Sequence, residues 1–344
     1  MAHFVSESFI FDPRPDYPFL VTAKRYTDSS SHQRSSEDAY TIFFMHGIGS
    51  HKEQWEPTIE HVWTECTAKR QIHIREMWSI DCPNHGEAAV LNEHTLQWGY
   101  QDYCKGVPAK PDFSMHRLIG VAHSGGAVAL VLSQKYRIPN LFTTQDGDKS
   151  LWCSMILVEP MFGPQSSESA MKGRFIRGVE ARRDIWPSES AALAELQGSA
   201  AHGNWDKRVM ELYCKHWLRN LPTADYPNIT EGVTLKFTKL QEIAMYRDTL
   251  GRARAYKHLH VACAEIPVHA IYGTVHDYIP AKYKEEFITV SAQGKLSSVQ
   301  WIPGCGHLIV QIRPQGLAEA ILADLIQTAS ASTGANRSTV GSKL

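Results

Sequence analysis

Apolar and polar positions near the start of the chain follow a period close to two. FVSESFIF (4–11) and FLVTAKRY (19–26), separated by a Pro- and Asp-rich break, predict one or two antiparallel strands. YTIFFMHGIG (40–49) is an almost unbroken apolar run ending in glycines, the pattern of a buried strand feeding a turn. PTIEHVWTECTAKR (57–70) has a helical period, and IHIREMWSID (72–81) reads as a strand that ends in a Pro-, Asn- and Gly-containing loop. RLIGVAHSGGAVALVLSQKYR (117–137) is a strand, a sharp turn and a helix, followed by a buried strand in LWCSMILVEPMF (151–162). VHAIYGTVHDYIP (268–280) and SVQWIPGCGH (298–307) are the last two strands, each with a polar residue just past its end. GLAEAILADLIQTA (316–329) is an amphipathic closing helix. Strands alternating with helices predict an α/β fold: a mostly parallel central sheet with helices on both faces.

Between residues 163 and 265 the alternation stops. SAALAELQG, KRVMELYCKHWLRNL and KLQEIAMYRDTL are helical in pattern, so this stretch is expected to form a helical lid inserted over the C-terminal ends of the strands. The organisation that follows is a core of residues 1–162 and 266–328, a lid of 163–265, and a flexible tail of 329–344. ASASTGANRSTVG in that tail is small and polar and has too little apolar surface to build a core.

The 344 residues carry 35 basic and 36 acidic side chains, a formal net charge of −1. That balance offers no global attraction for nucleic acid, and no basic run interleaved with aromatics is present. No segment reaches the roughly 18 consecutive apolar residues of a membrane span. The N-terminus lacks the basic start and apolar run of a signal peptide, so the sequon at Asn228-Ile229-Thr230 is read as chance. Seven widely spaced cysteines with no CxxC predict neither a disulfide framework nor a zinc site. The last three residues, Ser342-Lys343-Leu344, match the address read by the peroxisomal import receptor. The expected location is therefore the peroxisome, with that receptor as a partner.

Candidate chemistry centres on Ala122-His123-Ser124-Gly125-Gly126. A strand runs in, a helix runs out and a serine sits at the turn, the context of a nucleophile elbow. The flanking positions must be tiny, and here they are Ala122 and Gly126; the first is more often Gly. A serine hydroxyl needs a base within hydrogen-bond reach, and the base needs an orienting carboxylate. In this arrangement the base comes last in the chain, and His307, after the last strand in Gly304-Cys305-Gly306-His307, has that place among 17 histidines. Two carboxylates stand just past strand ends: Glu159 in Leu-Val-Glu-Pro and Asp277 in Gly-Thr-Val-His-Asp. An oxyanion would be held by the backbone N–H of Gly125 and by that of Ile48 in the loop after the early strand. His46 and His123 are expected to pack and hydrogen-bond rather than act as bases. His258-x-His260 lacks further metal ligands, and Trp55, Trp78 and Trp98 suit either an acyl pocket or plain core. No GxGxxG and no P-loop is present, so no cofactor is expected.

With HG, HSGG, VEP and GCGH in this order, the chain resembles the α/β-hydrolase superfamily over roughly residues 20–330. Within it, the lid segments ARRDIWPSESAALAELQG, NWDKRVMELYCKHWLR and GVTLKFTKLQEIAMY resemble those of fungal peroxisomal hydrolases of secondary-metabolite gene clusters. That group includes hydrolases of AK-toxin-type host-selective toxin biosynthesis and thioesterases acting on acyl-CoA intermediates. In that group the acid commonly follows the strand after the elbow helix, so the resemblance favours Glu159 over Asp277. It implies hydrolysis of an ester or acyl-CoA thioester on the way to a decatrienoic-type toxin acid. Acyl transfer or a lyase step with the same triad, and a non-catalytic binding protein on the same fold, are the alternatives. Epoxide hydrolysis is disfavoured, because that branch uses a carboxylate nucleophile where this chain has Ser124.

Overall fold

The computed structural model describes residues 4–15, 17–28, 38–69, 71–96, 113, 116–135, 150–163 and 168–340. Its centre is an eight-stranded sheet in the order β1-β2-β4-β3-β5-β6-β10-β11. These strands are β1 (Phe4–Phe11), β2 (Val21–Asp28), β3 (Tyr40–Met45), β4 (Ile74–Ile80), β5 (Arg117–His123), β6 (Trp152–Val158), β10 (Val268–Gly273) and β11 (Ser298–Ile302). β1 pairs antiparallel with β2, and β2 antiparallel with β4; every pairing from β4 through β3, β5, β6 and β10 to β11 is parallel.

The unbroken apolar runs arise because both faces of the sheet are covered. On β5, Leu118 and Ala122 belong to one core cluster, and Ile119 and Val121 to the other. β3 does the same, with Phe43 on the first face and Ile42 and Phe44 on the second. The second face is covered by α1 (Glu56–Lys69) and α11 (Pro314–Val340), whose Ile59, Val62, Leu317, Ile321 and Leu325 are buried there. The first face is covered by α3 (Gly125–Lys135) and α8 (Leu250–Glu265). α3 lies so close to β5 that a Cβ on Gly120 would stand 2.4 Å from Leu130 Cδ1. Trp55 and Trp78 are core residues, packed on Phe44 and on Phe9 and Phe43 respectively. Trp98 lies outside the described residues.

The insertion between β6 and β10 differs from the expected helical lid in two ways. Besides α4 (Glu168–Ala181), α5 (Glu189–Gly198), α6 (Lys207–Trp217) and α7 (Lys239–Arg247), it holds a three-stranded antiparallel sheet in the order β7-β9-β8. These strands are β7 (Ile185–Trp186), β8 (Leu218–Asn220) and β9 (Val233–Leu235). They are two or three residues long, too short to show a period in the sequence. The insertion has its own core, built on Trp186, Tyr213, Trp217 and Phe237. α8 belongs instead to the main core, because Ala255, Leu259 and Ala262 pack in the cluster that holds α3. It is the crossover helix that a parallel β6–β10 pairing requires.

Two short helices complete the frame near the site: α2 (Gly86–Leu91) after β4 and α9 (Ala281–Glu286) after β10. α10 (Ile309–Ile312) leads into α11. α11 continues past residue 328 into the stretch expected to be a loose tail. No proline interrupts it, Ala329 still packs on the core, and the Ser330 hydroxyl bonds back to Ile326 O. Ser342, Lys343 and Leu344 lie outside the described residues. Among the described residues no helix is long and apolar enough to cross a membrane.

Candidate active site

Parallel strands deliver their C-terminal ends to one edge of the sheet, and the next residue in the chain must turn sharply. Ser124 follows β5 and Glu159 follows β6, its neighbour. Both sit in the left-handed region, at φ of 54° and 44°, where a side chain crowds its own backbone. The turns are held from the adjacent strands: Ser124 N–H donates to Val158 O at 3.0 Å, and Glu159 N–H to Ile271 O at 2.8 Å. Room for the serine turn comes from missing side chains. A Cβ on Gly126 would lie 2.6 Å from His46 O and 2.9 Å from Met45 O, both rigid backbone. A Cβ on Gly47 would stand 3.0 Å from Ser124 Cβ.

His307 arrives on the loop after β11. Its Nε2 lies 2.8 Å from Ser124 Oγ, and both residues are buried. Its Nδ1 lies 3.5 Å from Glu159 Oε2. That is longer than a formed hydrogen bond, and neither atom has another partner. Such bonds are often long before substrate arrives. The carboxyl group of Glu159 is fully buried, which pushes its pKa up. The His307 imidazole and the Lys284 ammonium more than offset this, and the net shift is downward.

The structure separates the two carboxylates. Asp277 is exposed, and its Oδ1 accepts the backbone N–H of His307 at 2.9 Å and of Tyr278 at 2.7 Å. It shapes the loop that carries His307; a Cβ on Gly306 would collide with its carboxylate at 2.3 Å. Its polar contacts are thus to the backbone of His307, whereas Glu159 faces the ring.

The backbones of the two expected oxyanion donors lie close together. A Cβ on Gly125 would lie 3.7 Å from Ile48 N, and neither N–H has an acceptor among the described residues. Gly125 opens α3, where the first N–H groups have no partner within the helix. The peptide joining Gly47 and Ile48 is held by its other end: His46 Nδ1 donates to Gly47 O at 2.7 Å, while His46 Nε2 accepts from Cys82 N–H at 3.0 Å. One residue on, Gly49 N–H donates to His85 Nε2 at 3.0 Å. Burial lowers the pKa of both imidazoles, keeping them neutral as these bonds require. His123 donates from Nε2 to His307 O at 2.8 Å, and burial and the neighbouring His307 bring its pKa down to about 3. His46 and His123 therefore have structural partners, as expected.

Sequence reasoning missed three residues here. His85 sits in a loop whose composition marks only a turn. Arg182, at the end of α4, pairs with the buried Glu242 of α7 close to Gly49. Lys284 on α9 reads as a surface lysine in AKYKEE, yet it is 1% exposed and lies 2.7 Å from Glu159 Oε1. Nothing in the local pattern distinguishes it. His258 and His260 lie on α8, and the described residues include no group of three or more possible metal ligands.

Residues 42–320 match the family model described as the alpha/beta hydrolase family. The chain is 28% identical over 210 residues to the type I acyl-CoA thioesterase mpaH of Penicillium roqueforti, covering 58% of this chain and 44% of that protein. It thus spans less than half the length of this curated relative. Among solved structures, peroxisomal alpha-beta-hydrolase Lpx1 of Saccharomyces cerevisiae superposes with a TM-score of 0.64 at 16% identity, covering 95% of this chain and 89% of that one. A thioesterase domain from the curacin biosynthetic pathway gives 0.59 at 13% identity, covering 92% and 99%. At these identities the two structures share the fold.

Proposed function

This chain belongs to the alpha/beta hydrolase family, and on that premise we propose that it hydrolyses an acyl-CoA thioester or a related ester through a Ser124–His307–Glu159 triad. The observation that carries the reading is the 2.8 Å contact between Ser124 Oγ and His307 Nε2 at the end of the parallel sheet, with Glu159 behind the ring. Ser124 attacks the carbonyl carbon as His307 takes its proton. Glu159 holds the imidazole and stabilises its charged form. The Ile48 and Gly125 N–H groups receive the developing oxyanion. His307 then returns the proton to the leaving thiol or alcohol, and water, activated by the same imidazole, releases the acid.

The thioester substrate is supported by the name of the Penicillium relative. The finer reading, release of a decatrienoic-type toxin acid, rests on the sequence resemblance and supplies one acyl chain to test. We include a peroxisomal location in the proposal on the strength of Ser342-Lys343-Leu344. A fluorescent protein fused ahead of this chain should collect in peroxisomes and should become diffuse when the tripeptide is deleted.

The test of the activity is hydrolysis of a panel of acyl-CoAs and simple esters by wild type and Ser124→Ala, with fluorophosphonate labelling of both. Turnover and labelling by the wild type alone are expected. Equal turnover by Ser124→Ala would sink the triad. Labelling of Ser124 without hydrolysis of any thioester or ester would move the reading to acyl transfer or a lyase step.

A further inference from the structure

Beneath the triad lies a cation that the chemistry above does not use. Lys284, on the short helix after β10, is 1% exposed, and Glu159 is 0% exposed. An ammonium group without water needs a partner for each of its three N–H bonds. One goes to Glu159 Oε1 at 2.7 Å and one to Gly273 O at 3.0 Å. The ammonium also lies over the faces of Tyr272 and Trp301, 5.1 and 5.7 Å from their ring centres. Glu159 Oε1 accepts a second bond, from Gly273 N–H at 2.7 Å. Both of these donors bond the same oxygen. Oε2, the one nearest His307 Nδ1, receives neither.

We propose that Lys284 is a positioning residue for the triad, acting through Glu159: it locks the carboxylate so that Oε2 faces His307. The inference rests on the triad reading given above. Locking fixes where the imidazole is held. The groups facing this ion pair are His307 and, further off, His123 across the ring of His307. Tyr272 lies beneath the ammonium, Cys305 is in the adjoining loop, and Asp277 is on the backbone of His307. Asp277 and Cys305 are unchanged in the variants below. The Tyr272 phenol has its pKa raised by burial.

The experiment is the measurement of kcat and KM for wild type, Lys284→Met, Lys284→Gln, Glu159→Gln and the Lys284→Met Glu159→Gln double variant, on whichever thioester or ester the wild type turns over. In Lys284→Met kcat at the pH optimum should fall roughly tenfold with KM little changed, since the acid is then less well placed. In the Glu159→Gln background the same Lys284→Met change should leave kcat within about twofold, because its route to the site is already cut. An unchanged kcat in Lys284→Met, or an equal loss of kcat in both backgrounds, would overturn the proposal. Lys284→Gln keeps a donor for Oε1 and should hold kcat within about threefold of wild type; if Lys284→Met does not fold, a tenfold or larger loss of kcat in a folded Lys284→Gln would overturn the proposal. Wild-type turnover that survives Ser124→Ala would instead overturn the triad itself, so the two failures are distinct.

Discussion

Replacing Glu159 by Gln keeps the side chain's size and removes its charge. Two donors, Gly273 N–H and the Lys284 ammonium, already point at one carboxylate oxygen. The amide oxygen must take that place, which turns the amide NH₂ toward His307 Nδ1. Two N–H groups cannot face each other, so the imidazole adopts the tautomer with its proton on Nε2. That proton then points at Ser124 Oγ, and the base can no longer accept. By analogy with the acid-to-amide change in other triads, kcat should fall about 10⁴-fold, or roughly 5.5 kcal/mol of transition-state stabilisation. Asp277→Asn behaves differently, because an asparagine oxygen can still accept the N–H groups of His307 and Tyr278. Its kcat should stay within about threefold of wild type. Both variants are assayed on the same thioester or ester under saturating substrate. Their thermal midpoints are measured alongside, because Glu159→Gln leaves Lys284 buried without its counter-charge, at a cost of about 3–5 kcal/mol. Activity of Glu159→Gln within tenfold of wild type, with a collapse in Asp277→Asn, would refute the reasoning and make Asp277 the acid.

Other outcomes follow from the same contacts. Gly126→Ala puts a methyl group against two fixed carbonyl oxygens, at 2.6 and 2.9 Å, and should destabilise the fold by more than about 2 kcal/mol, read as a lowered denaturant midpoint; an unchanged midpoint would show that the elbow has slack. The buried His123, with its pKa brought down to about 3, predicts acid sensitivity. Its folded pKa lies below the ordinary value of about 6.5, so the unfolded chain binds more protons below that pH. Its contribution to stability is complete above pH about 6.5 and declines toward pH 3 at up to ~1.4 kcal/mol per pH unit. His216, brought down to about 4 chiefly by burial, adds to the same trend. Denaturant midpoints that do not fall between pH 7 and pH 5 would contradict this. His85→Leu removes the acceptor for Gly49 N–H beside the Ile48 donor and should lower kcat about tenfold, with His85→Gln recovering most of the loss.

The sequence by itself determined the sheet and the order of the site. Unbroken apolar runs in β3, β5, β6 and β10 can be satisfied only by a strand covered on both faces, and tiny residues around Ser124 are legible because a strained turn excludes anything larger. The place of His307 was legible for a related reason: Gly304 and Gly306 mark a tight loop just past the last strand. Local pattern left the acid open, because Glu159 and Asp277 both stand just past strand ends, and which one faces the imidazole depends on strand order and loop path. The sheet places Glu159 beside Ser124, and the loop turns Asp277 onto the backbone of His307. Only the tertiary structure could show Lys284 as buried, since a lysine in a polar helical stretch has the same local signature on the surface and against a buried glutamate. It also decided that α8 closes the core, and that short strands brace the insertion. The physical reason is common to all of these. Period and composition record how each residue meets its own element. Charge pairing and packing depend on which distant elements meet, and the chain settles that only on folding.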